Sequence, residues 1–249
     1  MQRHFIIFSY DGAAYHGWQV QPNARTVQQE LEGALATVLR EPTPVVGAGR
    51  TDSGVNAEQM VAHVDLPCGC DTAQLKYKLN RILPPDIAVS AILPVKNDAH
   101  ARFDATARKY SYYVTTVKSP FARRYACRVP ADIDFDAMNR AAALLSEYTD
   151  FTSFSKLHID VKTNNCKVKY AAWRRIDEVH WVFEIEADRF LRNMVRAIVG
   201  TLLLVGRGKL SLDGFRRVIE KKERCAAGDS AVAEALFLTR VDYPKDIYL

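Results

Sequence analysis

The run Gly47-Ala48-Gly49-Arg50-Thr51-Asp52-Ser53-Gly54-Val55-Asn56-Ala57 is the stretch around which the rest of the chain is organised. Its three glycines allow the backbone to turn tightly and to lie close to a ligand. Arg50 and Asp52 share this loop, and a neighbouring cation favours an ionised, oriented carboxylate. The apolar run at residues 60–65 then predicts a strand. Local chemistry alone favours a surface turn with a solvated ion pair.

Length and composition predict a globular protein with a sizeable core. The chain has 249 residues, of which 48% are hydrophobic, and a formal net charge of +5. That charge is compatible with a nucleic-acid partner but is shared by many other proteins. Five cysteines without a C-x-x-C pair predict reduced thiols, no metal and a cytoplasmic location.

Two apolar runs could be targeting or membrane segments, and neither has the required pattern. The N-terminal run at residues 5–8 is too short for a signal peptide. The longest apolar region, residues 194–205, contains Arg196 and therefore does not predict a membrane span.

Hydrophobic periodicity predicts alternating strands and helices in the first half of the chain. A capping box at Thr26 and Gln29 predicts the start of a helix, which Pro42 and Pro44 should end. The predicted elements are a strand at 5–10, this helix, a strand at 60–65, a helix at 73–83 and a strand at 87–93. This order is typical of an α+β layer with a largely antiparallel or mixed sheet.

The second half repeats a similar order of elements. Its predicted elements are a strand at 107–114, a helix at 135–145 capped by Asp134, a hairpin of 168–176 and 179–187, helices at 190–205 and 212–221, and a strand at 235–241. We therefore predict an α+β fold with two similar α/β halves, residues 1–104 and 105–249, and a central active-site cleft.

Four motifs, in the right order, resemble those of the TruA family of tRNA pseudouridine synthases. The first and second, YDGAAYHGWQ at residues 10–19 and GRTDSGVNA at residues 49–57, are similar to Y-D-G-x-x-Y-x-G-W-Q and G-R-T-D-A-G-V-H-A. The third and fourth, ATARKY at residues 105–110 and FLRNMVRAIVG at residues 190–200, are similar to A-T-A-R-[RK]-Y and F-L-x-x-M-V-R-x-I-V-G. Ser53 and Asn56 depart from the family's usual alanine and histidine. A fold of the pseudouridine-synthase type is implied by this resemblance.

The resemblance also implies roles for individual residues. Asp52 would be the nucleophile, with Arg50 beside it and Arg196 as the cationic partner of its carboxylate. Tyr110 would stack on the target uracil, although a strand tyrosine is more often a core residue. Several other cations could hold phosphates: Arg25, Arg102, Arg108, Lys109, Arg189 and Arg192.

The arginines near residue 190 allow two interpretations. Arg189, Arg192 and Arg196 are spaced i, i+3 and i+7, so the predicted helix would place them on one face. That face would either be a solvated surface over a core-facing side or a basic stripe that contacts phosphates.

The implied activity is the isomerisation of uridine to pseudouridine at positions 38, 39 and 40 of the tRNA anticodon stem-loop. The resemblance implies no cofactor and no metal, and a homodimer whose two subunits are bridged by tRNA. Asp52 would act either as a nucleophile or as a base at the ribose 2′ carbon. Two alternatives remain open: a non-catalytic RNA-binding protein on the same scaffold, and a synthase specific for a different RNA site.

Overall fold

A computed structural model of the protein describes residues 1–156 and 163–249. Its contacts divide the chain into two compact units, one of Met1–Ala107 with Leu238–Leu249 and one of Arg108–Phe237. The strands are β1 (Gln2–Tyr10), β2 (Val46–Gly47), β3 (Asn56–Leu66), β4 (Ile87–Pro94), β5 (Ala107–Thr115), β6 (Cys127–Arg128), β7 (Val168–Arg175), β8 (His180–Ala187) and β9 (Leu236–Asp242). The helices are α1 (Val27–Leu39), α2 (Thr72–Ile82), α3 (Phe135–Ala143), α4 (Met194–Gly206) and α5 (Leu212–Lys221).

The first unit is a sheet covered by two helices. Its strand order is β4-β1-β3-β9, with β2 pairing β3, and β1 runs antiparallel to both β3 and β4. Helix α2 contacts β4, and α1 contacts α2. The apolar stripe of α1 buries Leu31 and Leu35, and that of α2 buries Leu75 and Leu79. Burial of these stripes therefore fixes the helices of this unit.

The described residues of the second unit also form a sheet, here with three helices. Its strand order is β5-β8-β7, with β6 parallel to β5, and the β7–β8 hairpin is antiparallel as predicted. Helix α3 contacts β7, α4 and α5. Phe135 of α3 stacks on Trp181 with ring centroids 3.8 Å apart, which attaches the helix to β8. The prediction of an α+β fold with largely antiparallel sheets is confirmed.

Local capping signals were reliable guides to helix starts. The Thr26 hydroxyl accepts a hydrogen bond from the Gln29 amide at 3.4 Å, and the Asp134 carboxylate accepts one from Ala137 at 2.7 Å. Helix α5 has the predicted bounds. Within residues 1–156 and 163–249, no helix is long and apolar enough to cross a membrane.

The predicted start of α4 at residue 190 was wrong. The helix begins at Met194, after Asn193 with a left-handed φ of 66°. The Asp188 carboxylate accepts hydrogen bonds from the amides of Lys167 and Arg189, at 2.8 and 2.7 Å, and these bonds hold a turn before the helix. Arg189 and Arg192 therefore precede α4, and the predicted stripe with Arg196 on one helical face does not exist.

His63 of β3 attaches the segment that follows β4 to the sheet. The His63 side chain accepts a hydrogen bond on Nδ1 from the Ala101 amide at 3.0 Å, and its ring lies 4.6 Å from that of His100. Only 7% of His63 is exposed. Burial, helped by the charge of Arg3, lowers the pKa of His63 from 6.5 to about 4.

We expect the free energy of unfolding to fall as the pH drops from 6.5 towards 4. In that window the unfolded chain protonates His63 and the folded chain does not, so protonation favours the unfolded state. The variant His63→Gln keeps an acceptor for the Ala101 amide and should lose a pH dependence on the order of 1–2 kcal/mol. Urea denaturation at several pH values measures it. The matched control is His16→Gln, which changes an exposed histidine; equal pH slopes for wild type and His63→Gln would contradict the expectation.

Candidate active site

The loop of residues 47–57 is a turn between β2 and β3 that holds Asp52. The Ala48 amide donates to the Val61 carbonyl at 2.8 Å, and the Val55 amide donates to the Asp52 carbonyl at 3.1 Å. Gly54 has a φ of 79°, which favours glycine at this position. The Asp52 side chain is half-buried, and Arg50 is exposed. The carboxylate therefore stands at the rim of a turn whose backbone is fixed.

The 10–19 motif packs directly against this turn. A Cβ on Gly12 would collide with the Val55 carbonyl, and one on Gly17 would collide with the Thr51 carbonyl. The Gly54 amide also donates to the Tyr15 carbonyl at 3.3 Å. These glycines are required because two backbones lie in contact. Two motifs that are separate in sequence thus form one substructure around Asp52.

Side chains on both sides of Asp52 complete the contact between the motifs. The hydroxyls of Tyr10 and Thr51 are 2.8 Å apart. The buried Asn56 side chain accepts a hydrogen bond from the Gly12 amide at 2.8 Å. The Ser53 hydroxyl donates to the Tyr15 carbonyl at 3.2 Å. The two residues that depart from the family pattern therefore both contact the 10–19 motif.

Tyr15 and Arg25 form a small polar cluster next to this substructure. Tyr15 donates its hydroxyl hydrogen to the Asp86 carboxylate, and burial together with Asp86 raises the pKa of Tyr15. The Arg25 guanidinium lies 5.0 Å above the Tyr15 ring and 2.6 Å from a Glu30 oxygen. Arg25, a predicted phosphate contact, is thus already bound to a carboxylate of the protein.

Tyr110 lies on β5 of the second unit and is half-buried. Its ring meets that of Phe190 edge to face, with centroids 5.1 Å apart and planes at 89°. The predicted helix at 190–205 would include Phe190 as its first residue. The contact instead shows that Phe190, in the loop before α4, positions the Tyr110 ring.

The cations beside Tyr110 are engaged with groups of the protein. Arg108 donates through Nη1 to the Asp188 carbonyl at 2.8 Å. Lys109 Nζ lies 2.8 Å from a Glu184 oxygen on β8. Arg189 is half-buried, whereas Arg192 is exposed. Strand register could have suggested an acidic partner for Lys109, because Glu186 lies opposite it and Glu184 is two pairs further on, on the same face.

The Arg196 side chain is held by a loop that sequence reasoning missed. Arg196 Nε donates to the Ala231 carbonyl at 2.7 Å, and the Ala231 amide returns a bond to the Arg196 carbonyl at 3.0 Å. The Ser230 hydroxyl lies 2.6 Å from Asn193 Nδ2 and 3.0 Å from Arg224 Nη2. The Arg196 guanidinium therefore donates to a loop that is itself bonded to the Arg196 backbone, to Asn193 and to Arg224.

Comparison with known proteins decides the family. A family model described as tRNA pseudouridine synthase matches residues 141–244. The protein named tRNA pseudouridine synthase A of Bacteroides thetaiotaomicron is 60% identical over 250 residues, which cover 100% of this chain and 93% of that protein. Those of Bacteroides fragilis and Bacillus licheniformis are 60% and 42% identical, covering 100% and 94% of this chain and 99% and 96% of theirs. The chain belongs to the tRNA pseudouridine synthase A family.

Membership in this family confirms the resemblance that the four motifs predicted, and it confirms an isomerase as the class of enzyme. The matched family model includes Arg196 but neither Asp52 nor Tyr110, whereas the full-length relatives cover all three. The role of each side chain stays a prediction. In the described part of the chain, no group of three or more histidines, cysteines or carboxylates is placed to hold a metal ion.

Asn56→Ala is expected to destabilise the protein by about 1–3 kcal/mol, because the buried Gly12 amide loses its side-chain acceptor. Urea denaturation followed by circular dichroism measures the change. Ser53→Ala is the matched control, since its exposed hydroxyl makes one hydrogen bond to a carbonyl, and it should change stability by less than about 0.5 kcal/mol. Equal losses in the two variants would contradict a specific role for Asn56.

Proposed function

We propose that this chain isomerises uridine to pseudouridine in tRNA, at positions 38, 39 and 40 of the anticodon stem-loop. One observation carries the proposal: proteins named tRNA pseudouridine synthase A match the chain from end to end at up to 60% identity. The Asp52 loop supports the proposal, because hydrogen bonds and glycine contacts hold its backbone. A catalytic carboxylate acts best when its geometry is fixed before substrate binds.

The reaction needs no net addition or loss of atoms apart from hydrogen exchange with water. The bond from N1 of the uracil to C1′ of the ribose breaks, and the base turns. A bond then forms from C5 to C1′, the hydrogen on C5 leaves as a proton, and N1 gains a proton. The target base must leave its stack first, at a cost of a few kcal/mol.

Asp52 is proposed to start the reaction. Its carboxylate would act as a nucleophile on the sugar or base, or as a base that removes a proton from C2′. Arg50 is proposed to orient it from two residues away, and Arg196 to supply its cationic partner. The backbone contacts of Gly12 and Gly17 with the turn support this role, since they leave Asp52 little freedom to move.

Tyr110 is proposed to stack on the target uracil, which is worth about 1–3 kcal/mol per base. Its edge contact with Phe190 supports the role by fixing the ring plane. Arg108, Lys109, Arg189 and Arg192 are proposed to contact the RNA backbone. Of these four, Arg192 is the exposed one, whereas Arg108, Lys109 and Arg189 are half-buried.

The proposal extends to assembly and location. We propose a homodimer whose subunits are bridged by one tRNA, in the cytoplasm where tRNA is modified. Family membership does not favour a non-catalytic RNA-binding protein. Because Ser53 and Asn56 depart from the family pattern, a synthase with a different RNA site is a second candidate. Mapping pseudouridines in tRNAs with cytidine at position 38, 39 or 40 distinguishes it, since such a synthase would still modify them elsewhere.

Asp52→Ala is expected to abolish tritium release from tRNA labelled at uracil C5, whereas the wild type releases tritium because pseudouridine formation expels that hydrogen. Asp52→Asn is the matched variant. It keeps the size of the side chain and removes its charge, so it should be as inactive as alanine if the ionised carboxylate does the chemistry.

Both variants should bind unmodified tRNA within about threefold of the wild type, since Asp52 contributes chemistry and not affinity. Release by Asp52→Asn at more than about a hundredth of the wild-type rate would contradict the assignment. An inactive wild type across a mixed tRNA pool would contradict the proposed function itself.

Tyr110→Phe and Tyr110→Ala are expected to separate stacking from proton transfer. The phenylalanine keeps the stacking face, so its tRNA affinity should stay within about twofold, whereas alanine should weaken binding about fivefold or more. Loss of the hydroxyl should lower the single-turnover rate about a hundredfold if it moves a proton. Filter binding and single-turnover tritium release measure the two effects; a full-rate phenylalanine variant would limit Tyr110 to stacking.

A further inference from the structure

The second unit displays an exposed aromatic side chain among cations at a position outside the four motifs. We name residues 117–128 the basic aromatic loop; its defining side chains are Lys118, Phe121, Arg123, Arg124 and Tyr125. We propose that this loop binds the tRNA substrate, with an unpaired base stacked on Phe121 and phosphates held by the neighbouring arginines. The proposal rests on the proposed function and adds a second contact region for the same RNA.

Phe121 is the most exposed large hydrophobic side chain of the described residues, with 92% of its surface accessible. The backbone around it is nevertheless ordered by hydrogen bonds. The Ala122 amide donates to the Ser119 hydroxyl at 3.1 Å, the Arg123 amide to the Ser119 carbonyl at 3.2 Å, and the Tyr125 amide to the Ala122 carbonyl at 3.0 Å. The turn thus presents the ring to solvent from a fixed backbone, as a stacking platform requires.

A row of aromatic rings connects the loop to β5. The Arg124 guanidinium lies 5.3 Å above the Tyr125 ring. Tyr125 contacts Phe237 with centroids 5.9 Å apart, and Phe237 contacts Tyr113 of β5 at 5.3 Å. The loop is therefore attached to the sheet of this unit through side chains other than Phe121, which leaves the Phe121 ring available to a ligand.

The charge of the loop indicates a polyanionic ligand. No acidic residue occurs between Asp104 and Asp132, and the four cations Lys118, Arg123, Arg124 and Arg128 are all exposed. A local excess of positive charge around an exposed aromatic ring is the pattern of single-stranded nucleic-acid contacts.

The same charge argues against a contact of the loop with its own copy at a twofold axis. There the cations of one loop would face the like charges of the other. The ring would be buried there, but the cations would lose hydration without gaining partners. A tRNA supplies both the negative charge of its phosphates and the unpaired bases of its loops.

The test compares four variants with the wild type: Phe121→Ser, Phe121→Tyr, the double variant Arg123→Ala with Arg124→Ala, and the control Arg216→Ala. The control Arg216→Ala removes one cation from the same unit. Arg216 lies outside the loop, 3.6 Å from Glu147. Filter binding of unmodified tRNA transcript is measured between about 50 and 200 mM salt. Single-turnover tritium release at saturating enzyme and light scattering are measured on the same preparations.

Phe121→Ser should weaken tRNA binding about fivefold to a hundredfold, and Phe121→Tyr should restore it, since tyrosine also has a stacking face. The double arginine variant should weaken binding and reduce the slope of log affinity against log salt by about 1–2. Saturating rates, molecular mass and the behaviour of Arg216→Ala should match the wild type.

Unchanged tRNA affinity in Phe121→Ser and in the double variant would overturn the proposal. So would a fall in molecular mass for either variant, which would assign the loop to subunit contact. Because the wild type must release tritium in the same assay, a failure of the proposed reaction is recognised separately from a failure of the loop to bind RNA.

Discussion

Close approach of two backbones is the constraint on which the first unit depends. Gly12 and Gly17 lie against the carbonyls of Val55 and Thr51 so closely that any side chain at either glycine would collide with them. This contact joins the 10–19 motif to the turn that carries Asp52. A carboxylate on an isolated surface turn would sample many positions, and ordering it would cost conformational entropy during each reaction. Because the glycines let the two backbones pack together, much of this entropy is lost once, during folding, and not in each reaction.

In the second unit, close backbone packing at a glycine also occurs near Arg196. Gly200 of α4 lies where a Cβ would collide with the Asp229 carbonyl, so the loop after α5 rests directly on the helix. The Thr201 hydroxyl accepts from the Gly228 amide at 2.9 Å, and Arg196 Nε bonds the Ala231 carbonyl. This bond holds the Arg196 guanidinium against the loop. In both units, glycine permits close backbone packing beside a residue proposed to act in catalysis.

The sequence predicted what depends on neighbours along the chain. The caps at Thr26 and Asp134, the β7–β8 hairpin and the bounds of α5 all follow from residues within a few positions of each element. It failed at the start of α4, because the turn there is held by Asp188 through Lys167 and by Asn193 through Ser230, across 21 and 37 residues. The motif resemblance singled out Asp52 and Tyr110, but not the Phe190 and Ser230 contacts of the second unit, which arise only when the chain folds.

Some cations of the chain lie beside carboxylates, and others lie in a stretch of sequence without acidic residues. This difference bears on which cations are suited to bind RNA. Lys109 and Arg25 each lie within 3 Å of a carboxylate oxygen, so an RNA phosphate would have to displace an existing partner. Such an exchange gains little, because one ion pair replaces another. The cations of the basic aromatic loop are exposed and lie in a stretch of sequence without any acidic residue, so an RNA phosphate bound there releases counterions. The net charge of +5 could not locate this surface, because it is a sum over the whole chain. The absence of acidic residues between Asp104 and Asp132 does locate it.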